Sequence, residues 1–538
     1  MQVRRSMLDR AIGIFSPKAE LQRLSYKAGV GYLGENGYIT SGTFRRSMRG
    51  WNPVESHPDN DIIPKNKSIR ASARDLFMNT PVATGAIRRI RTNVIGFGLF
   101  LQSRIDREFL KLTDDAADAW ENNVEREFNF WAASKNCDAA RSQTLYDMQA
   151  TAFLGTILDG DVIVLLPRYR RPGDIYDLKL SVVSGDYLDN PPNLIATQKV
   201  AGGIEVDQFG APVKYYLRKT DANYPLINMT EMYSFTEIAP YTASGYLNLL
   251  HLFEKERPGQ RRGVSVLAPV IEELKNLTRL SKAELDASIL NAFFTVFVKS
   301  AVPGGGLQPG FPPFGTVTPN PTAVTDSKQA AGDEKVYEMG SANIVDMDPD
   351  EEIQLADPKR PNQAFEPFFD AIVKQIGASI EIPFEQLMLN FRSSYSAARG
   401  AMLEAWKLYR RNRIFMARNF CQPVYREWLA EAVMRGTISA PGYFSDPRIR
   451  AAWEGSTWAG LTQGQIDPER ETKAALLRIE GNLSTHEDEY TAIHGDSKWV
   501  GAVARKAREK DIIEGRGLKV YVTKPQQDIV PQKATEEE

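Results

Sequence analysis

Residues 267–300 read LAPVIEELKNLTRLSKAELDASILNAFFTVFVKS, and the next segment carries Pro303-Gly304-Gly305-Gly306. Leu267, Ile271, Leu274, Leu277, Leu285, Ile289 and Phe293 recur at three- to four-residue spacing with one longer step, which puts apolar side chains on one face of a helix. Unbroken to about Ser300, that helix is on the order of 50 Å long at about 1.5 Å per residue. Its apolar stripe needs a partner to cover it. The proline and glycines stop it, and the chain to about residue 335 is rich in Pro, Gly and Thr with almost no candidate core. A loop of that length is usually functional or mobile.

Downstream, acidic residues gather at Asp346, Asp348, Asp350, Glu351, Glu352 and Asp357. Helix returns near Glu366, with Pro367 suited to a first turn and Phe368, Ile372 and Ile376 as its stripe. Two helices thus flank a loop-rich excursion. Pro383 starts a short helix, and Asn390-Phe391-Arg392-Ser393 is a turn. A long helix runs from about Ser394 to Arg435, bent at Pro423. Further helices are expected at about 446–455, 467–480, 485–494 and 497–510.

Upstream, Ala71, Leu76, Ala83, Ile87 and Ile90 predict helix from Ser68, with a break at Pro81. Asn93 to Leu101 reads as a strand leaving a Gly96/Gly98 turn. Helices at about 114–132 and 143–158, a strand from Asp161 to Pro167, and short strands to about 255 complete an α+β region. Residues 1–60 read as an arm, with Arg45, Arg46 and Arg49 beside Trp51.

The whole chain has 538 residues, 42% apolar and 25% charged, so it folds around more than one core. A formal net charge of −2 excludes an overall basic nucleic-acid binder. Cys137 and Cys421 form no disulfide framework and suit a reducing compartment. The most apolar run, Ile289 to Val302, is interrupted by Lys299 and is too short to span a membrane, so a soluble protein made in a cytoplasm is expected.

Signals for catalysis are thin. Gly29-Val30-Gly31-Tyr32-Leu33-Gly34 matches the dinucleotide fingerprint by letter but lacks the strand before it and the helix after it. No Gly-x4-Gly-Lys-Ser/Thr loop appears, and His57, His251, His486 and His494 have no ligand spacing. His486 and His494 read as surface histidines. The acidic run reads as a solvated surface in preference to a magnesium site. No catalytic residue, cofactor or metal site is expected. Lys407, Arg410, Arg411, Arg413 and Arg418 make the strongest basic cluster, suited to phosphates or to salt bridges with a neighbouring copy.

Four motifs in order resemble the lambda-type portal proteins of tailed bacteriophages. They are Arg70 to Leu76 with Asn79-Thr80-Pro81 and Asn93 to Gly98; Arg257 to Val264; Ile382 to Leu387 with Ser394 to Arg399; and Trp453, Trp458, Ile466-Asp467-Pro468 with Gly481 to Thr485. Met78 stands where the family often has a basic residue.

The resemblance implies a helix-rich α+β portal fold that forms a ring, of twelve subunits in the family. The expected parts are an N-terminal arm at 1–64, an α/β wing at 65–262, a stem helix at 263–300 and a clip at 301–362. A second stem helix at 363–380, a tunnel loop and long wing helix at 381–435, a helical crown at 436–520 and a flexible tail at 521–538 follow. It also implies a channel for packaging and ejecting double-stranded DNA, read without sequence preference. Its partners are further copies of itself, terminase, major capsid or scaffold proteins and head-tail connector proteins, with no membrane. Asn390, Phe391, Arg392 and Ser393 become the DNA-facing loop, and Lys407, Arg410, Arg411 and Arg418 candidate DNA or inter-subunit contacts. The competing classes are a DNA-processing nuclease using Asp348, Asp350 and Glu352, and an internal scaffold or minor capsid protein.

Overall fold

In the computed structural model, the residues described are 55–192, 199–219, 234–292, 296–300, 351–355, 365–391, 394–464, 468–494 and 499–516, with residue 194 and a few positions between 12 and 22. The backbone alone is described for 296–300 and 351–355. The arm's basic cluster, the 29–34 glycines and the 303–335 segment lie outside these residues. Residues 1–61 and 62–538 are two units. The first contributes helical residues 17–19 and 21–22 and the opening turn of the first long helix.

That helix, α1 (Pro58–Asn79), begins earlier than its apolar periodicity predicts. Thr80 is extended (φ −115°, ψ 110°), and Pro81 opens α2 (Pro81–Val94), where its missing N–H costs nothing. Ala83, Ala86, Ile87, Ile90 and Val94 are its buried face. Val94 completes that stripe, so helix continues where a strand was expected, and β1 (Phe100–Ser103) starts later.

Thr113 caps α3 (Asp114–Ala132), and a reciprocal Thr144–Asp147 capping box starts α4 (Leu145–Asp159). Then β2 (Asp161–Leu165) lies between β3 (Ser181–Ser184) and β8 (Leu249–Phe253), both antiparallel to it. A four-stranded meander inserts between β3 and β8. Its strands are β4 (Val200–Ala201), β5 (Ile204–Val206), β6 (Pro212–Arg218) and β7 (Phe235–Ile238).

Next come α5 (Ile271–Ala292), β9 (Val296–Ser300), β10 (Glu351–Leu355), α6 (Phe365–Ser379) and α7 (Phe384–Met388). The expected helix to Ser300 is therefore corrected: it ends at Ala292, and β9 pairs antiparallel with β10. Val296, Phe297 and Val298 are β-branched or aromatic and suit a pleated ladder better than a helix end. The acidic run is likewise not all loop, because Glu351 and Glu352 begin β10.

The long helix forms as α8 (Tyr395–Met416), a π turn at Ala417–Cys421, and α9 (Gln422–Met434). Pro423 lacks the N–H that would bond the carbonyl four residues back, and the helix widens just before it. On α9, Tyr425 and Trp428 meet Phe128 of α3 edge-on. Beyond lie α10 (Pro447–Trp453), β11 (Ser456–Ala459), α11 (Pro468–Glu480), α12 (His486–His494) and α13 (Trp499–Gly515). The sequence reading grouped 436–459 with the last helices, but β11 pairs with β1 and Trp453 packs on Trp120, tying this stretch to the α/β core.

Candidate functional site: the base of the α5–α6 pair and the loop beside it

The helix pair flanking the excursion packs at its base. Leu274 and Leu277 on α5, and Val373 and Ile376 on α6, are all buried. Farther along the pair, Leu285 (61% exposed), Ile289 (46%) and Phe368 (57%) stand out. The apolar stripes therefore extend past the part of the pair that is buried among the described residues.

Where the α/β core feeds α5, the turn before the helix is held from inside. Gln260 Oε1 accepts from the backbone N–H of Glu256 (2.9 Å) and Arg257 (3.1 Å), and its Nε2 donates to Arg262 O (2.8 Å). Arg262 then turns inward. Its Nε donates to Asp161 Oδ2 at 2.6 Å, and its Nη groups donate to Leu188 O (2.7 Å), Gly202 O (2.8 Å), Gly185 O (2.7 Å) and Asp161 Oδ1 (3.3 Å). All five guanidinium hydrogens have acceptors. A side chain on the next residue, Gly263, is impossible, because its Cβ would sit 1.9 Å from Gly160 O.

Asp161 is fully buried and also accepts from Arg70 Nη2 (2.5 Å) and Gly263 N–H (3.2 Å). One helical turn on, Arg74 grips both oxygens of Asp159 at 2.7 Å and joins Arg70 on Asp186. Three arginines and three aspartates thus balance one another. Burial pushes the Asp161 carboxyl up, but Arg262, the His251 imidazole and Arg70 outweigh it and leave it well below the usual carboxylate range. Sequence reading missed this cluster as a unit. Its visible signals were Arg70 and Arg74 four apart on a helix, and an aspartate opening an apolar strand.

His251 on β8 lies beside this cluster, its Nε2 3.4 Å from Asp161 Oδ2. Burial pushes the imidazole below its ordinary value, with Asp161 opposing. The folded protein keeps His251 neutral where the unfolded chain, near pH 6.5, takes a proton. The unfolded state then binds more protons in acid, so this contribution is complete above about pH 6.5 and declines below it. Melting at pH 7.5 and 5.5 is expected to show stability falling in acid through this group. His251→Gln should flatten the slope; an unchanged slope would count against a neutral buried imidazole.

The turn after α7 is positioned from three sides. Two non-glycine residues in the left-handed region, Glu381 (φ 58°) and Leu389 (φ 54°), bracket α7. Arg89 of α2 donates to Leu387 O, Tyr409 of α8 donates to Gln386 Oε1 (2.6 Å), and Asn390 N–H donates to Glu385 O (3.0 Å). The Ser394 side chain caps α8 through Ala397 N–H. Asn390 is half-buried and Phe391 is 49% exposed. Arg392 and Ser393 lie outside the described residues.

The basic cluster on α8 divides. Lys407 pairs with Glu404 at 2.6 Å with both side chains exposed, and Arg411 bridges Glu381 (3.2 Å) and Glu254 (4.0 Å). Arg410 and Arg418 are exposed, with no ion pair among the described residues. Arg413 turns inward and donates to Asn93 O (2.9 Å) and Val94 O (3.1 Å), capping the negative end of α2; burial lowers it to about 10. Among the described residues no group of three or more His, Cys, Asp or Glu side chains is placed to hold a metal ion. No described helix is long and apolar enough to cross a membrane. Of the histidines, exposed His486 stacks on Trp499, and the His494 side chain lies outside the described residues.

The sequence model of the family described as phage portal protein, lambda family, matches residues 44–413. The chain is similar to the portal protein of Escherichia phage N15, 26% identical over 499 residues, covering 90% of this chain and 92% of that protein. It is similar to portal protein B of Escherichia phage lambda, 25% identical over 501 residues, covering 90% and 91%. Among solved structures, a chain from the neck of an empty GTA particle computed with C6 symmetry aligns with TM-score 0.42 and 13% identity, covering 78% of this chain and 99% of that one. A chain from the virion of a native gene transfer agent particle aligns with TM-score 0.40 and 12% identity, covering 85% and 98%.

Proposed function

This chain belongs to the lambda family of phage portal proteins, and from that premise we propose that its copies close into a ring at one vertex of a phage capsid. The ring is the passage through which double-stranded DNA enters during packaging and leaves on ejection. The observation that carries this reading is the family match over 44–413, which spans both helices of the α5–α6 pair. The pair supports it physically, because Leu285, Ile289 and Phe368 remain for a neighbouring copy to cover.

The finer parts belong to the same proposal. The ring is a dodecamer, assembled in the host cytoplasm and carried in the virion. The 301–362 segment meets terminase during packaging and head-tail connector proteins afterwards, while the α/β core meets capsid or scaffold proteins. The role is structural and not enzymatic. Asn390, Phe391, Arg392 and Ser393 approach the DNA, where a ring of arginines makes salt-screened phosphate contacts that hold without immobilising.

Complementation of a phage lacking its portal gene tests the proposal. Wild-type chain is expected to restore DNA-filled capsids, and negative-stain images of the purified chain should show closed rings with a central hole. Arg392→Glu should leave rings intact and lower genome retention several-fold. Empty capsids with wild-type chain, or magnesium-dependent DNA cleavage lost with Asp350→Ala, would overturn the channel reading. Unchanged retention with Arg392→Glu would remove the loop's role alone.

A further inference from the structure

The outward face of α8 is not a uniform polar surface. Leu403 (45% exposed), Lys407, Arg410, Ile414 (40% exposed) and Arg418, the last within the π turn, follow one another at three- to four-residue spacing. That spacing places them along one stripe. Lys407 has only an exposed contact to Glu404, which solvent screens, and Arg410 and Arg418 have no ion pair among the described residues. Cations interleaved with exposed apolar side chains gain from a partner that removes both from water. A phosphate backbone rewards the cations and leaves Leu403 and Ile414 uncovered.

The same chain carries the complement. On α11, Glu469, Leu476 (51% exposed) and Glu480 lie along one stripe. Both glutamates are exposed and make no ion pair among the described residues. The spacings agree: Ile414 and Arg418 follow Lys407 by seven and eleven residues, and Leu476 and Glu480 follow Glu469 by the same intervals. Side by side in parallel, the two helices oppose cation to anion, isoleucine to leucine and cation to anion. A ring needs two different surfaces on each subunit, one for each neighbour.

We propose that the Leu403–Arg418 face of α8 docks on the Glu469–Glu480 face of α11 in a second copy of this chain, forming a seam between ring neighbours. This rests on the ring reading above and names the residues that hold it. Lys473 lies on the α11 stripe and is the one like charge there.

The test is a charge swap in the full-length chain, read by light scattering after size exclusion and by negative stain. K407E/R418E and E469K/E480R are each expected to lower the ring fraction at least tenfold with unchanged monomer melting. The combined four-site variant should restore rings. K473E should raise the salt concentration at which rings dissociate. Rings unaffected by either reversed pair, or lost in both and not restored by the combination, would overturn the seam. So would intact K407E/R418E rings with weakened duplex binding, which assigns the α8 face to DNA. A wild-type chain that never forms rings would instead sink the ring reading, and the seam with it.

Discussion

Asp161→Asn is expected to destabilise the chain by about 3–5 kcal/mol, the usual cost of removing one partner from a buried ion pair. The carboxylate is the meeting point of Arg262 and Arg70, both nearly inaccessible to solvent. Neutralising it leaves Arg262 with backbone carbonyls as its remaining acceptors and Arg70 with Asp186, which Arg74 also grips, as its one remaining close carboxylate. Arg262→Lys should come close to the same loss, because an ammonium cannot reach five acceptors from one fixed plane. Chemical denaturation with parallel circular dichroism measures both. Replacement with a loss under about 1 kcal/mol would show that the cluster is solvated in solution.

Leu285→Asp combined with Phe368→Asp is expected to abolish ring formation while leaving the subunit folded. Both side chains are more than half exposed in the single chain, so the monomer's stability should change by no more than about 0.5 kcal/mol. In a closed ring each copy would bury new charges against apolar neighbours, at a cost of several kcal/mol per interface. Size exclusion with light scattering should report monomers whose melting matches wild type. Intact rings would mean that this surface faces solvent. A subunit that also unfolds would mean that the exposed residues help hold α5 to α6 within one chain.

Much of the scaffold was legible in the amino-acid pattern. The helix expected at about 114–132 forms as α3, and Pro81 separated two helices because a proline suits a first turn better than a helix interior. The helix pair around the excursion followed from two stripes and a Pro/Gly break. The misreadings have physical causes. The Val296–Val298 run carries apolar residues compatible with either period, and only cross-strand pairing with residues 353–355 decides for a strand. Likewise β11 depends on β1, more than 350 residues earlier, which no local pattern encodes. Of the candidate site residues, Arg411 and Lys407 turned out to be paired within the chain, while the partners of Asp161 come from three separate segments that no spacing rule connects. Arg413 looked like one more surface cation, and only the approach of Asn93 and Val94 gives it an interior task.

The attachment of Arg262 has a mechanical side. A pull along α5 reaches the α/β core within a few residues of this one side chain, whose planar head is anchored to Asp161 on β2, to Gly185 and Leu188 beyond β3, and to Gly202 between β4 and β5. These bonds radiate from a single rigid group, so the load falls on them together. A ladder pulled from its end fails rung by rung at low force, whereas a radial anchor shares shear among all its links until they break at once. The attachment of α5 to the α/β core is therefore built like a rivet, with its links loaded in parallel.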